Sequence, residues 1–250
     1  HAAYPAWSAT SYVERAEKLN DVADYLEAGQ DDVDQRARLF CREHGKPIKE
    51  TYLEVSRLGD RFRSTAAYAD RLARDENEHG QPFDTIITRQ PRGVATLIVP
   101  WNWPLSILGA KLPQALMAGN TVVVKPSELS TLAPSMTLQR IAEMFPPGVI
   151  NIVTGDATKI GDNLVGHPLV RFVNFTGSTR IGKHVMKVAA DQLTPVTLEL
   201  GGNDPAIVCA DARLDEKAFM NMYLGAFMSS GQICMALKRL YVHRSRYNEV

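Results

Sequence analysis

Three cysteines occur in the 250 residues, at positions 41, 209 and 234. Cys234 lies in "SSGQICMALKR" (Ser229–Arg239), among the apolar residues Ile233, Met235, Ala236 and Leu237, with no histidine beside it. A thiolate is a strong nucleophile, whereas a neutral thiol is a small apolar residue that often fills a core. Its immediate neighbours favour the filler, so a reactive role requires partners supplied from elsewhere in the chain.

Four other segments carry groups that could supply them. "IVPWNWPL" holds Asn102 between two tryptophans and two prolines. A framed amide of this kind can aim its NH₂ at a developing oxyanion; the other reading is an Asx-type turn that starts the next helix. "VTLELGGNDPAIV" places Glu199 in an apolar strand ending in Gly201-Gly202. Burial raises a carboxyl pKa toward the range of a general base, whereas a glutamate at a strand edge would face water. "VVVKPSELS" puts Lys125 at the end of an apolar run and Glu128 three residues later. That pair suits a nucleotide ribose, and equally a solvated loop with a helix-start glutamate. "FTGSTRIGKH" spaces Gly177 and Gly182 as G-x4-G ahead of Lys183. Free N–H groups at a helix start attract phosphate. A P-loop would need Ser or Thr after the lysine, and position 184 is His. The GxGxxG fingerprint is also absent, so an anion site competes with a plain strand–turn–helix junction.

The elements that must position these groups follow from periodicity. Residues 8–78 read as helices. Ser8 is the expected N-cap of the first, over "YVERAEKLNDVADYLEAG". The second runs from about Asp31 to His44 and is closed by Gly45 and Pro47. A long amphipathic third covers Lys49 to Arg74. "DTIITRQ" is a strand-like run within a predicted arm or hairpin at 79–91. From Val94 short apolar runs alternate with helical stretches. The predicted strands are "VATLIV", "TVVV", "VINIV", "VRFVNF", "PVTLEL" and "PAIVC", with helices near 105–118, 131–145, 158–165 and 179–190. Such alternation predicts an α/β fold whose parallel sheet carries helices on both faces and binds ligands at the carboxyl ends of its strands.

Composition narrows the function classes. Lys plus Arg equals Asp plus Glu at 28 each, which gives no electrostatic footprint for nucleic acid or an anionic membrane. The most apolar stretch, "VATLIVPWNWPLSILGAKL", is interrupted by Asn102, two prolines and Lys111 before it could span a bilayer. No histidine pair has metal-ligand spacing, so no metal is expected. An odd number of scattered cysteines without a CxxC pair points to a reducing, cytoplasmic setting. Cys41 and Cys209 read as core fillers. The first residue is His1 and the last, Val250, falls in a charged stretch, so a segment of a longer protein is expected.

Taken together, "PWNWP", "KPSE", "FTGSTRIG", "LELGG" and "GQIC" occur in one order, each following a strand or opening a helix. On these motifs the chain resembles the aldehyde dehydrogenase superfamily over nearly all its length. The resemblance implies a Rossmann-like sheet with N-terminal helices (residues 1–200) and the beginning of a second α/β catalytic domain (201–250). It implies that Cys234 is the nucleophile, Glu199 the general base for thioester hydrolysis, and Asn102 the oxyanion donor acting with the backbone N–H of Cys234. By the same likeness NAD, with NADP possible, sits on Val99, Pro100, Trp101, Asn102, Lys125, Ser127, Glu128, Gly177, Ser178, Gly182 and Leu200. Glu128 should repel a 2′-phosphate, which favours NAD. Trp103, Ser106, Ala110, Ile233 and Met235 fall near the substrate funnel. The small Ser106 and Ala110 leave room for a bulky or aromatic aldehyde. The hairpin at 79–91 matches the family's oligomerisation arm, implying a homodimer or homotetramer of the longer protein.

Three alternatives stay open: a relative that passes the acyl group to coenzyme A, a catalytically silent NAD-binding module, and a P-loop-like phosphate binder argued from "GSTRIGK". A hydrolytic Glu199 argues against the first, and His184 against the last. Family members are longer, so the 250-residue segment alone is expected to have little or no dehydrogenase activity.

Overall fold

The computed structural model describes residues 1–80 and 82–250. The chain begins with helices α1 (Tyr4–Ser8), α2 (Tyr12–Glu27), α3 (Gln30–His44), α4 (Ile48–Ser56), α5 (Leu58–Ala66) and α6 (Ala69–Leu72). Ser8 ends α1 rather than capping a helix, and the cap of α2 is Ser11. The Ser11 hydroxyl accepts from Glu14 N while the Glu14 carboxylate accepts from Ser11 N, a reciprocal capping box. Gly45 ends α3 in the left-handed conformation, φ +79°, as its position after the last helical residue predicts.

The long third helix of the sequence reading is broken into α4, α5 and α6. No proline forces the breaks; tertiary packing does. α4 packs on α3, whereas α5 lies along α2, so the chain turns at Arg57 to bury two different faces. At the α2–α5 contact Gly59 lies beside the exposed side chain of Glu27, which a Cβ there would displace.

Next come β1 (Glu76–His79) and β2 (Asp84–Ile87), an antiparallel pair. The expected hairpin at 79–91 is thus displaced toward the N-terminus, and its residue 81 lies outside the described residues. Beyond Ile87 the chain leaves the strand, and Arg89 reaches back to Arg74 O and the Glu76 carboxylate.

The central α/β unit runs β3 (Val94–Ile98), α7 (Pro104–Gly109), α8 (Leu112–Met117), β4 (Thr121–Lys125), α9 (Leu132–Ala142), β5 (Ile150–Ile152), α10 (Ala157–Val165), β6 (Val170–Thr176), α11 (Thr179–Ala190) and β7 (Val196–Glu199). Its five strands are all parallel, in the order β5-β4-β3-β6-β7. One face packs on α8 and α9, backed by the N-terminal helices; the other packs on α10 and α11. The predicted helix over 105–118 is two helices, because Pro113 cannot lie mid-helix without clashing with a carbonyl one turn earlier. It occupies the first turn of α8 instead, and the break leaves Lys111 at the junction.

Because the sheet is extended to one side of β3 by β4 and β5 and to the other side by β6 and β7, the order of the parallel strands reverses between β3 and β6. A crevice opens at such a reversal. The register makes the strand ends level there: Ile98 pairs with Lys125 on one side and Phe175 on the other, and Thr176 pairs with Glu199.

A second, two-stranded parallel sheet follows, β8 (Asp204–Val208) and β9 (Leu237–Val242), linked by α12 (Glu216–Phe227). α12 buries none of its residues and Ile207 is 71% exposed. Cys209, expected in a core, is exposed at the end of β8, because this small sheet lacks a covering layer.

The start of β3 depends on Asn120. Its Oδ1 accepts from Arg92 N (2.8 Å) and Gly93 N (3.1 Å), and its Nδ2 donates to Ala115 O, at 8% exposure. Asn120→Ala strands two backbone donors away from water and should cost about 2–4 kcal/mol in urea-induced unfolding. A loss below 0.5 kcal/mol, on the order of a neutral surface change, would remove Asn120 from this role.

Candidate active site

Three strand ends and two turns carry the residues singled out above. Val99 leaves β3 and donates its N–H to Lys125 O (3.2 Å), which ties the first loop to the second. Trp101 stacks on His44 of α3, with centroids 5.6 Å apart. The face of Trp103 receives the Lys46 ammonium, 3.7 Å from its centroid. These contacts clamp both tryptophans that flank Asn102, the frame inferred from "PWNWP". Asn102 Nδ2 donates to Gln232 O at 2.8 Å, across 130 residues of sequence. An amide nitrogen carries two hydrogens, so one remains for a ligand.

Gln232 precedes Cys234 by two positions, and that bond brings the asparagine and the thiol to one place. Both line a cavity of about 380 Å³ with Leu53, Arg57, Arg61, Ser106 and Met228. Trp103, Ala110, Ile233 and Met235, assigned to the funnel from the sequence, line it too. Arg57 and Arg61 were not foreseen; they project from the N-terminal helices, which the sequence reading treated as scaffold. Cys234 is exposed in this cavity, not enclosed by its apolar neighbours, and Met235 is 70% exposed.

The turn before Cys234 is strained. Ser229, Ser230 and Gly231 have φ of +53°, +56° and +75°. Left-handed serines are uncommon and persist where surroundings over-determine them. Here Ser229, 3% exposed, donates its N–H to both oxygens of Glu50, and its carbonyl accepts from Gln232 N.

Glu199 ends β7, the edge strand, and is exposed rather than buried among apolar side chains. The enclosure on which the general-base reading leaned is therefore missing. Glu199 is not among the cavity-lining residues, yet its loop meets the thiol's loop directly. A Cβ on Gly202 would lie 2.9 Å from Cys234 O, and Lys238 Nζ donates to Gly202 O (3.1 Å) and Ile233 O (3.2 Å).

The nucleotide side shows a comparable close fit. Gly177 N donates to Glu199 O at 3.0 Å. A Cβ on Gly177 would stand 2.5 Å from the Phe175 ring, and one on Gly182 2.5 Å from Leu200 Cδ2. A side chain at either position would displace its neighbour in the packing of the β6–α11 turn. Ser178 caps α11, its hydroxyl accepting from Ile181 N. Ser127 uses its hydroxyl similarly, accepting from Leu129 N. Lys125 is not the solvated loop residue that the sequence also allowed. It is 2% exposed, and its ammonium donates to Glu128 Oε2 at 3.1 Å. Partial burial raises the Glu128 pKa, but its own N–H and Lys125 outweigh that and hold it below the usual carboxylate value. Pro100 completes the lip after Val99. Level strand ends, a buried ammonium beside an exposed carboxylate, and a glycine turn opening a helix fit a dinucleotide. Among the described residues no group of three or more His, Cys, Asp or Glu could hold a metal ion, and no helix is long and apolar enough to cross a membrane.

Lys111 is a residue that the sequence reading used only as a charge. It is 4% exposed and donates to Asn174 Oδ1 on β6. Burial pushes its pKa from 10.5 down to about 8, against a partial upward pull from Glu199. Between those values the unfolded chain holds a proton that the folded chain has released. Stability contributed at this site therefore rises with pH from about 8 to 10.5 and is lowest below 8, where the charge is buried. Urea titrations at pH 7.5 and 9.5 should show wild type gaining on Lys111→Met over that interval. A difference between the two proteins that does not change with pH would contradict the assignment.

The family model "Aldehyde dehydrogenase family" matches residues 1–250. Two relatives are each 38% identical: an NADP-dependent glyceraldehyde-3-phosphate dehydrogenase of Streptococcus equinus and a 2-aminomuconic semialdehyde dehydrogenase of Danio rerio. The alignments cover 96% and 99% of this chain but 51% and 50% of those proteins, so the chain spans about half the length of the relatives it matches. An aldehyde dehydrogenase from Brucella melitensis biovar abortus superposes with a TM-score of 0.93 at 34% identity, over 99% of this chain and 51% of its own. A betaine aldehyde dehydrogenase point mutant from Staphylococcus aureus, in complex with NAD+, gives 0.90 at 33%, over 99% and 49%. The chain belongs to the aldehyde dehydrogenase family.

Proposed function

We propose that the protein carrying this chain oxidises an aldehyde to a carboxylic acid with NAD as acceptor, Cys234 being the nucleophile. The observation that carries the reading is the shared cavity of Cys234 and Asn102, whose amide is held by the carbonyl of Gln232. The Cys234 thiolate adds to the carbonyl carbon, and the C=O pair moves onto oxygen. One N–H of Asn102 and the backbone N–H of Cys234 stabilise that oxyanion. NAD, when bound, supplies the hydride acceptor that turns the adduct into a thioester. Water then attacks the thioester carbon while Glu199 takes its proton, releasing the acid and restoring the thiolate. Glu199 must reach the sulfur from its exposed position, and the Gly202–Cys234 contact keeps their loops together for this.

Lys125, Glu128, Ser127, Gly177, Ser178, Gly182, Leu200 and the Val99–Asn102 loop hold the dinucleotide. A relative bound to NAD+ supports the cofactor, and an NADP-dependent relative keeps the second within reach. In this reading residues 1–200 bind the cofactor and 201–250 open the catalytic domain, and the end of the five-stranded sheet at Glu199 supports it. The hairpin of β1 and β2, with Phe83 78% and Ile86 67% exposed, suits pairing with a second copy in a homodimer or homotetramer. A cytoplasmic setting accords with three unpaired cysteines.

The cavity also sharpens the substrate. Arg57 and Arg61 line the cavity without a carboxylate partner among the described residues; the carboxylate of the wall, Glu54, is already engaged by Lys46 and by the N–H groups of Leu105 and Ser106, and the remaining wall is mostly apolar. An aldehyde carrying an anionic group suits it. Glyceraldehyde 3-phosphate and 2-aminomuconic semialdehyde, named for the two relatives, are both anionic aldehydes.

The test is NAD(P)H production by the full-length protein with neutral and anionic aldehydes. Activity should favour NAD and anionic aldehydes, vanish in Cys234→Ala, and fall roughly 10²–10³-fold in Asn102→Ala. The 250-residue segment alone should be nearly inactive. A Cys234→Ala protein that keeps its rate sinks the mechanism. A clear NADP preference sinks the cofactor choice, and a preference for neutral aldehydes sinks the substrate class.

A further inference from the structure

Two glutamates of α4, one turn apart, grip two distant segments of the chain. Glu54 is 1% exposed, and its Oε1 accepts from Leu105 N (2.8 Å) and Ser106 N (2.9 Å), the first free donors of α7. Its Oε2 accepts from Lys46 Nζ at 2.6 Å, and that same ammonium lies over Trp103. Glu50 accepts Ser229 N on both oxygens, at 3.0 and 2.9 Å, across 179 residues of sequence. α7 begins two residues after Asn102, and the Ser229 turn lies five residues before Cys234. α4 thus touches the backbone beside each of the two groups that share the cavity.

Like charges at i,i+4 repel, and their local effect on a helix is unfavourable. Lys46 and the three backbone donors compensate for it. Among the described residues the local bond at the turn is Gln232 N to Ser229 O; Asn102 reaches the turn at Gln232, and the carboxylate of Glu50 is the external restraint on the backbone of Ser229 itself.

We propose that α4 acts as a gauge setting the Asn102–Cys234 geometry, with Glu50 as a positioning residue for the thiol. Glu54 fixes one end of the gauge on α7, and Glu50 fixes the other on the strained turn. Glu50 touches no reacting atom; it acts through Ser229 and the turn that presents Cys234 and the Gln232 carbonyl. The inference rests on the cysteine–asparagine reading of the site, and its test separates the two.

Hydrogen exchange and Cys234 alkylation by iodoacetamide would be followed in Glu50→Ala and Glu50→Gln, with exposed Cys209 as internal reference. Kinetics would be followed in the same variants of the full-length protein. Loss of a hydrogen bond to a charged acceptor is worth about a tenfold shift in a local equilibrium. In Glu50→Ala, exchange over residues 229–235 should accelerate about tenfold, with β3 and β4 unchanged. The Cys234-to-Cys209 alkylation ratio should shift at least about threefold, and kcat should fall at least about tenfold with KM nearly constant. Glu50→Gln keeps an acceptor oxygen and should recover most of each effect. If Glu50→Ala does not fold, Glu50→Asp, which retains the charge but shortens the reach, takes its place with the same expected direction. Unchanged local exchange and an unchanged alkylation ratio would overturn the gauge, as would a loss of activity explained wholly by global stability. A wild-type protein with no dehydrogenase activity removes the proposed function, and exchange and alkylation still decide the role of Glu50.

Discussion

The carboxylate of Glu54 is the interaction on which the site's geometry depends. α7 starts at Pro104 without a side-chain cap of its own, because Trp103 offers no acceptor. A helix start leaves N–H groups that must find partners when buried, and an anion there is favoured by the helix dipole. Glu54 supplies both from another helix, 51 residues earlier in sequence than its first donor. Burial pushes the Glu54 pKa up and the Lys46 pKa down, while each partner opposes the shift in the other. Removing either member leaves an uncompensated charge inside the protein, typically a loss of about 3–5 kcal/mol. The pair is accordingly a constraint on position more than a source of stability.

From that anchor the rest of the architecture can be read outward. α7 and the "PWNWP" loop are held against α3 and α4, and the loop springs from β3 at the reversal of strand order. Parallel pairing then sets Lys125, Phe175 and Glu199 at the same end of the sheet as Asn102. Four segments that are far apart in sequence meet because strands of one direction end on one edge. The thiol is the exception. Cys234 lies in the turn that leads into β9 of the second sheet and reaches the cavity through contacts of its loop with Asn102, Glu50 and Gly202.

Much of this was legible beforehand. Apolar runs marked β3 to β7 to within about two residues, because buried parallel strands leave no polar alternation to confuse the pattern. Pro and Gly marked the turns where chemistry gathers. Most of the differences share a cause: long-range packing left no local trace. Nothing in Lys49–Arg74 announces the turn at Arg57, and nothing beside Glu50 or Glu54 announces the backbone donors they meet. Pro113 did announce the break between α7 and α8, and the helical reading passed over it. Glu199 looked buried because its strand is apolar, but composition does not say which strand takes the sheet edge. Cys209 was misjudged for a related reason, since a small sheet can leave an apolar strand uncovered.

The bonds that reach the turn before Cys234 close long loops, spanning 130 residues to Asn102 and 179 to Glu50. In the five-stranded sheet, by contrast, β3–β4, β4–β5 and β6–β7 are each joined by a single crossover, and the pairing of longest span, β3 with β6, joins Val94 to Val170. Loop-closure entropy makes distant contacts slower to gain than local ones. The pairings of the sheet therefore do not require the turn, whose left-handed serines are held by contacts that span 130 and 179 residues. Cys234 is thus presented by contacts of long sequence separation, on which none of the pairings of the five-stranded sheet depends.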